Sequence, residues 1–251
     1  MAGFVLIHGA WHGGWCFDPV TAILCERGHK VVAPDLPGMG GDEAELRAVT
    51  LDGWAEFTAG LCHELRRELD GEPLVLAGHS RGGVVLSSTA QADPAAMDGL
   101  AYICALMVED GKAGNDMSGV VMGDAVTGVR ESFGEIVAGG AGWMIDKAIA
   151  GAALAQLSHP DLVARQVERL VVEPTAGLAG VMHISEERFG TVPRWYIECL
   201  EDQTVPIAGQ RRLQALFPGT QAITLHADHS PFYSAPQALA DALCDIAASL
   251  C

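Results

Sequence analysis

The chain has 251 residues, 49% of them hydrophobic and 19% charged, enough to bury one large core; disorder and a disulfide-stapled miniprotein are both excluded. Against 15 Lys and Arg stand 32 Asp and Glu, a formal charge of −17, so phosphate backbones and anionic membranes would repel it and no nucleic-acid partner is expected. The seven cysteines form no Cys-x-x-Cys pair and read as reduced, mostly buried thiols of a cytoplasmic protein.

In chain order, Met1-Ala2-Gly3 leads straight into an apolar run at 4–8 with no basic segment before it, which is not the pattern of a signal peptide. No apolar run approaches the roughly 20 residues of a membrane span. Strand-length apolar runs lie at 4–8, 30–34, 73–77, 100–105, 194–199 and 221–225, separated by helical patterns, and this alternation predicts an α/β fold with a mostly parallel six-stranded sheet flanked by helices. Gly28 is placed to end the helix that follows Cys16. Leu51, Trp54, Thr58, Leu61, Leu65 and Leu69 keep a three-to-four-residue step that predicts a helix closed by Gly71.

The rhythm breaks between 107 and 190, too long an interval for a loop in a compact domain. It shows no clear strand, looks loose at 119–128 and 139–142, and has helical composition at 148–157 and 160–170. The expectation is a core formed by 1–106 and 191–251, with 107–190 inserted as a mainly helical cap. Met117, Met122, Phe133, Trp143, Met144 and Met182 give that cap the apolar content of a lid over an apolar pocket.

Gly78-His79-Ser80-Arg81-Gly82 matches G-x-S-x-G and falls between a strand and a helical run, the setting in which the motif carries a strained, exposed nucleophile. A serine hydroxyl needs a general base, and the base an orienting carboxylate. Asp202 follows the fifth strand and His229 the sixth, at strand carboxyl ends where open α/β sheets place their sites. Glu201, Glu109 and Asp110 compete for the acidic role, and His226 for the base. The loop His8-Gly9-Ala10-Trp11-His12-Gly13-Gly14-Trp15 can aim backbone N–H groups at an oxyanion, which assigns one donor to Ala10 and the other to Arg81. Trp11, His12, Trp143, Met144 and Phe232 are the expected pocket residues. His226-x-x-His229 with Asp228, and His8 with His12, lack a convincing zinc pattern, and neither G-x-G-x-x-G nor a P-loop is present, so no metal and no cofactor are expected.

The segments HGAWHGGW, VVAPDLPGMG, GHSRGG, YIECLEDQTVP and ADHSPF resemble the α/β-hydrolase group that contains plant hydroxynitrile lyases and methyl esterases. LSHPDLVARQVERLVVEP is similar to that group's cap helix, whereas the glycine-rich stretch before it departs from the pattern. The resemblance implies an α/β-hydrolase fold, a small apolar ester or lactone of methyl-ester type as substrate, and a homodimer. Lyases of the group carry a threonine in the first loop and a lysine after the catalytic histidine; Gly9 and Ser230 hold those places here, which favours the esterase branch. Arg81 is a second departure, because the group usually has an apolar residue there, and its side chain requires a carboxylate or solvent. Cyclisation, lactonisation or carbon–carbon cleavage by the same residues, and ligand binding on a hydrolase scaffold, are the alternative readings.

Overall fold

The computed structural model describes residues 1–123 and 133–251. Its strands are β1 (Gly3–Ile7), β2 (Lys30–Val32), β3 (Leu74–His79), β4 (Gly99–Ile103), β5 (Gly134–Val137), β6 (Gly142–Ile145), β7 (Glu173–Pro174), β8 (Arg194–Cys199) and β9 (Gln221–Leu225). Six of them form one sheet in the order β2-β1-β3-β4-β8-β9, with every pairing parallel. All six predicted strands are present.

Strand alternation sorts the core into two layers. Val5, Ile7, Leu74, Leu76, Leu100 and Tyr102 face one side, where they pack with Trp54, Cys62 and Leu65 of α1 (Leu51–Arg66) and with Val84, Val85 and Leu86 of α2 (Gly82–Ala92). Phe4, Leu6, Val75, Ala77, Ala101 and Ile103 face the other, against Leu239, Leu243 and Ile246 of the helix Pro236–Ala248 and against Val20 and Leu24 of the helix Asp18–Glu26. The latter ends before Gly28, whose φ of +82° provides the left-handed exit. Helix α1 starts where the Thr50 hydroxyl accepts from the Gly53 N–H. It ends at Arg66, before the expected Gly71, so Leu69 is buried from a turn beyond the helix.

Residues 107–190 hold strands that the sequence reading did not expect there. Besides the helices Lys147–Leu154 and Pro160–Arg169, which fall in the two segments of helical composition, they include a three-stranded antiparallel sheet β5-β6-β7. The first two strands have four residues each, start on glycine and are partly exposed, and the third has two residues, so they carry no alternation to read. Of the stretch expected to be loose at 119–128, the first residues continue the helix Ser118–Met122 and 124–128 lie outside the described residues; 139–142 is the turn between β5 and β6, with Gly142 opening β6.

The order of the strands reverses direction between β1 and β3, so the loops leaving those two strands diverge and open a crevice at their carboxyl ends. The contact beneath it is tight: a Cβ on Gly82 would stand 2.6 Å from the Ile7 carbonyl oxygen. Gly82→Ala should therefore cost about 1–3 kcal/mol by overpacking against backbone. Gly60→Ala, on the exposed side of α1 with nothing within 4 Å of the added carbon, should stabilise by roughly 0.5–1 kcal/mol. Denaturant unfolding of both variants checks the contrast.

Candidate active site

Ser80 sits between β3 and α2 with φ +52°, a left-handed conformation rare for a residue with a Cβ. Its surroundings impose it. The Ser80 N–H donates to the Ile103 carbonyl and its own carbonyl accepts from Leu106 and Gly83, while a Cβ on Gly78 would meet Gly82 backbone at 2.9 Å. Only glycine at both flanks lets strand and helix close at this angle.

The Ser80 hydroxyl lies 3.0 Å from His229 Nε2, and His229 Nδ1 lies 2.7 Å from Asp202 Oδ2. With the Nδ1 proton donated to Asp202, Nε2 is left to accept from Ser80. Asp202 is held in turn: its Oδ1 accepts from the N–H groups of Thr204 and Val205, both 2.8 Å away. The structure thus brings Ser80, His229 and Asp202 into one hydrogen-bonded chain, with His229 and Asp202 buried. The competitors are elsewhere. Glu201 and His226 are exposed and face each other at 3.7 Å, and Asp110 accepts from the Ile184 N–H on the surface. Buried Asp228 binds the N–H groups of Ser230 and Leu157 and the Ser234 hydroxyl, so it braces the loop that carries His229.

Ala10 and Arg81 line the same cavity as Ser80. Among the described residues no other group takes their backbone N–H. The cavity has a volume of about 340 Å³, and its walls are largely apolar, with Trp11, Leu106, Val121, Trp143 and Leu178 among them. Met117, Met122 and Phe133 also line it.

Three expected pocket residues are not on the walls. Met144 follows Trp143 on β6, so strand alternation turns its side chain to the face opposite the one that meets the cavity. Phe232 is fully buried, with edge contacts to the rings of His79, His12 and Phe17. His12 lies behind the wall, with Nδ1 donating to the Ala10 carbonyl at 2.8 Å and Nε2 accepting from Gln166 at 2.7 Å. Met182 is likewise in the core. Leu178, Val121, Thr204 and Val205 are wall residues that the sequence reading missed. Thr204 and Val205 carry the one usable signal, their place just after Asp202.

The Arg81 side chain is buried and paired. Its Nε donates to Glu173 Oε1 at 2.7 Å, its Nη2 to Glu173 Oε2 at 3.3 Å and to the Gly9 carbonyl at 3.2 Å, and its guanidinium stacks 4.5 Å over the Trp54 ring. Burial pushes the Glu173 carboxyl up from its ordinary value, opposed by Arg81 beside it.

His79, Cys104 and His229 bring potential metal donors within 4.8 Å of one another. His79 Nδ1 has no partner among the described residues, but the other donors are engaged or protonated. Both His229 nitrogens are hydrogen-bonded, His79 Nε2 donates to the His229 carbonyl at 2.6 Å, and burial keeps the Cys104 thiol well above its ordinary value and so protonated. All seven cysteines are free.

Complete burial holds His8 and His79 well below the ordinary histidine range and His12 at about 4. In the unfolded chain they protonate near pH 6.5, so between that value and the folded one unfolding takes up protons and stability falls as pH falls. Each contributes up to about 1.4 kcal/mol per pH unit in that window. His12→Gln should flatten the dependence of unfolding free energy on pH between about 6 and 4.5 by up to that amount; an unchanged slope would contradict the buried neutral ring.

Residues 4–242 match the model of a family described as "Alpha/beta hydrolase family". The chain is 33% identical to a pyrethroid hydrolase of Sphingobium wenxiniae over 253 residues, covering 97% of this chain and 86% of that one. It is 32% identical to methylesterase 7 of Arabidopsis thaliana, covering 97% and 95%. The crystal structure of a pyrethroid hydrolase from Sphingobium faniae JZ-2 superposes with a TM-score of 0.84 at 28% identity, over 99% of this chain and 98% of that one.

Proposed function

The chain belongs to the alpha/beta hydrolase family, and from that premise we propose that this carboxylic ester hydrolase cleaves small to medium apolar esters, of methyl-ester or lactone type, through an acyl-enzyme on Ser80. The observation that carries the reading is the hydrogen-bonded chain Ser80–His229–Asp202, with contacts of 3.0 and 2.7 Å, whose Ser80 lines an apolar cavity.

In this reading His229 takes the Ser80 proton on Nε2 as Oγ adds to the ester carbonyl, and Asp202 stabilises the imidazolium and keeps its orientation. The tetrahedral oxyanion is held by the N–H groups of Ala10 and Arg81. Collapse breaks the bond to the alkoxide, which leaves with the proton from His229. Water then adds to the acyl-enzyme with the same base, and Ser80 is regenerated.

The apolar walls favour an apolar acyl or alcohol part, and about 340 Å³ is within the range of sites for small organic ligands. By their names one relative is a pyrethroid hydrolase and the other a methylesterase, which supports hydrolysis of an ester. Two positions argue against cyanohydrin cleavage. A Cβ on Gly9 would stand 2.7 Å from the His79 ring, leaving no room for threonine, and Ser230 is buried and bound by Gln166 where a lyase would carry lysine. Residues 107–190 act as the cap of a core made by 1–106 and 191–251, since Met117, Val121, Trp143 and Leu178 from that interval close the cavity over Ser80. Seven free thiols support a reducing, cytoplasmic setting. Among the described residues no helix is long and apolar enough to cross a membrane.

Hydrolysis of p-nitrophenyl esters from acetate to octanoate tests the proposal. The parent should turn over, and Ser80→Ala and His229→Ala should each lower kcat by about 10⁴-fold or more while binding persists. A parent that is inert across the series, or a Ser80→Ala variant with parental rates, would overturn it.

A further inference from the structure

The ester-hydrolase reading leaves one buried group without a task, the ion pair between Arg81 and Glu173, both 1% exposed. A buried pair of this kind gives little net stability compared with apolar side chains of the same volume. Its place in the site is specific. The Arg81 guanidinium donates to the carbonyl of Gly9, and a trans peptide carries that carbonyl opposite the Ala10 N–H in one rigid plane. Fixing the Gly9 oxygen thereby aims the Ala10 hydrogen. His8 Nδ1 meets the same oxygen at 2.8 Å.

The next peptide is held at both ends as well. His12 donates to the Ala10 carbonyl, and Glu173 Oε2 accepts from the Trp11 N–H at 3.3 Å. Trp11 has φ +62°, a conformation that side chains other than glycine keep only where their surroundings impose it. Those surroundings come from a single stretch of chain. The Trp11 carbonyl accepts from the Val171 N–H at 2.9 Å, its indole N–H donates to the Trp143 carbonyl at 3.2 Å, and its ring meets the Trp143 ring edge-on at 4.5 Å. Every polar group of Trp11 is thus bound by residues 143–173.

We propose that the Arg81–Glu173 pair positions the oxyanion hole: Arg81 orients and polarises the Gly9–Ala10 peptide, Glu173 locks Trp11 in its left-handed turn, and the insertion so completes the donor set for the Ser80 reaction. Arg81 then serves both donors, one with its own backbone and the other with its side chain. Arg81 and Glu173 are positioning residues through their side chains, and the inference rests on the ester-hydrolase reading.

Removing one charge alone would strand the other in the core, so the test uses two double variants without a buried charge. Arg81→Met/Glu173→Gln keeps an acceptor for the Trp11 N–H, and Arg81→Met/Glu173→Leu does not. Both should fold. With p-nitrophenyl butyrate, kcat should drop about tenfold in the first and about 100-fold in the second, with KM within about threefold of the parent. A trifluoromethyl ketone, which Ser80 converts to a hemiketal oxyanion, should lose affinity by the same factors, whereas the matching methyl ketone, bound without addition, should not.

Parental kcat in both variants, whatever their melting temperatures, would reduce the pair to a structural role and overturn the proposal. Equal weakening of the two ketones would also overturn it, since the pair would then shape the cavity and not the hole. Equal kcat in the two variants would remove Glu173 from the mechanism and with it the proposal as stated. A parent that neither turns over esters nor forms the Ser80 adduct would remove the hydrolase reading, and this inference with it, which is a different result from an active parent with unaffected variants.

Discussion

The close approach of α2 to the end of β1 governs the geometry around it. Gly82 lies so near the Ile7 carbonyl that no side chain fits between them, and Gly78 lies as near to Gly82. The chain turns from strand to helix in that space only if the intervening residue takes a positive φ, so Ser80 is held in the left-handed region with its hydroxyl on the crevice side. The same turn leaves the N–H of Arg81, a residue of the cavity wall at the start of α2, without another partner among the described residues. One steric constraint therefore sets the candidate nucleophile and one candidate donor together, and the strain it stores is offset by the two core layers that clamp β1, β3 and β4.

Around that turn the polar groups are ordered by burial. His229 is fixed through Asp202, whose second oxygen is held by two backbone N–H groups, and through its own carbonyl, which accepts from His79. In such an enclosed setting hydrogen bonds are stronger than in water and unpaired groups are costly, which favours one arrangement over its alternatives. His8, His12 and His79 are kept neutral by the same enclosure and act as fixed donors and acceptors around the loop 8–12. A rigid, prearranged set of dipoles is what an oxyanion requires, because little reorganisation is then left to the reaction itself.

The sheet was legible in the sequence because its central strands β1, β3 and β4 are near-continuous apolar runs buried on both faces, and the other three recur between helical patterns. Ser80, Asp202 and His229 were legible because strand ends in this topology converge, so motif and position agreed. The small sheet β5-β6-β7 was not: residues 134–137 and 142–145 are short, glycine-led and half covered, and their pairing is a tertiary fact without local periodicity. The need of Arg81 for a carboxylate could be read, but the identity of Glu173 could not, since 92 residues separate them and the sequence 171–174 is an apolar run with one acid. Phe232 and His12 were misplaced for a related reason. Adjacency to a site residue says little about which way a side chain turns, and both turn into the core beneath the cavity.

The most direct test of the account is to quench the reaction with p-nitrophenyl acetate within the first turnover and locate the acyl group by peptide mass spectrometry. The account predicts one acetyl group per chain, on the peptide that contains Ser80, appearing with the burst of nitrophenolate and decaying at the steady-state rate. Turnover without any adduct, or an adduct on another residue that decays at that rate, would contradict it.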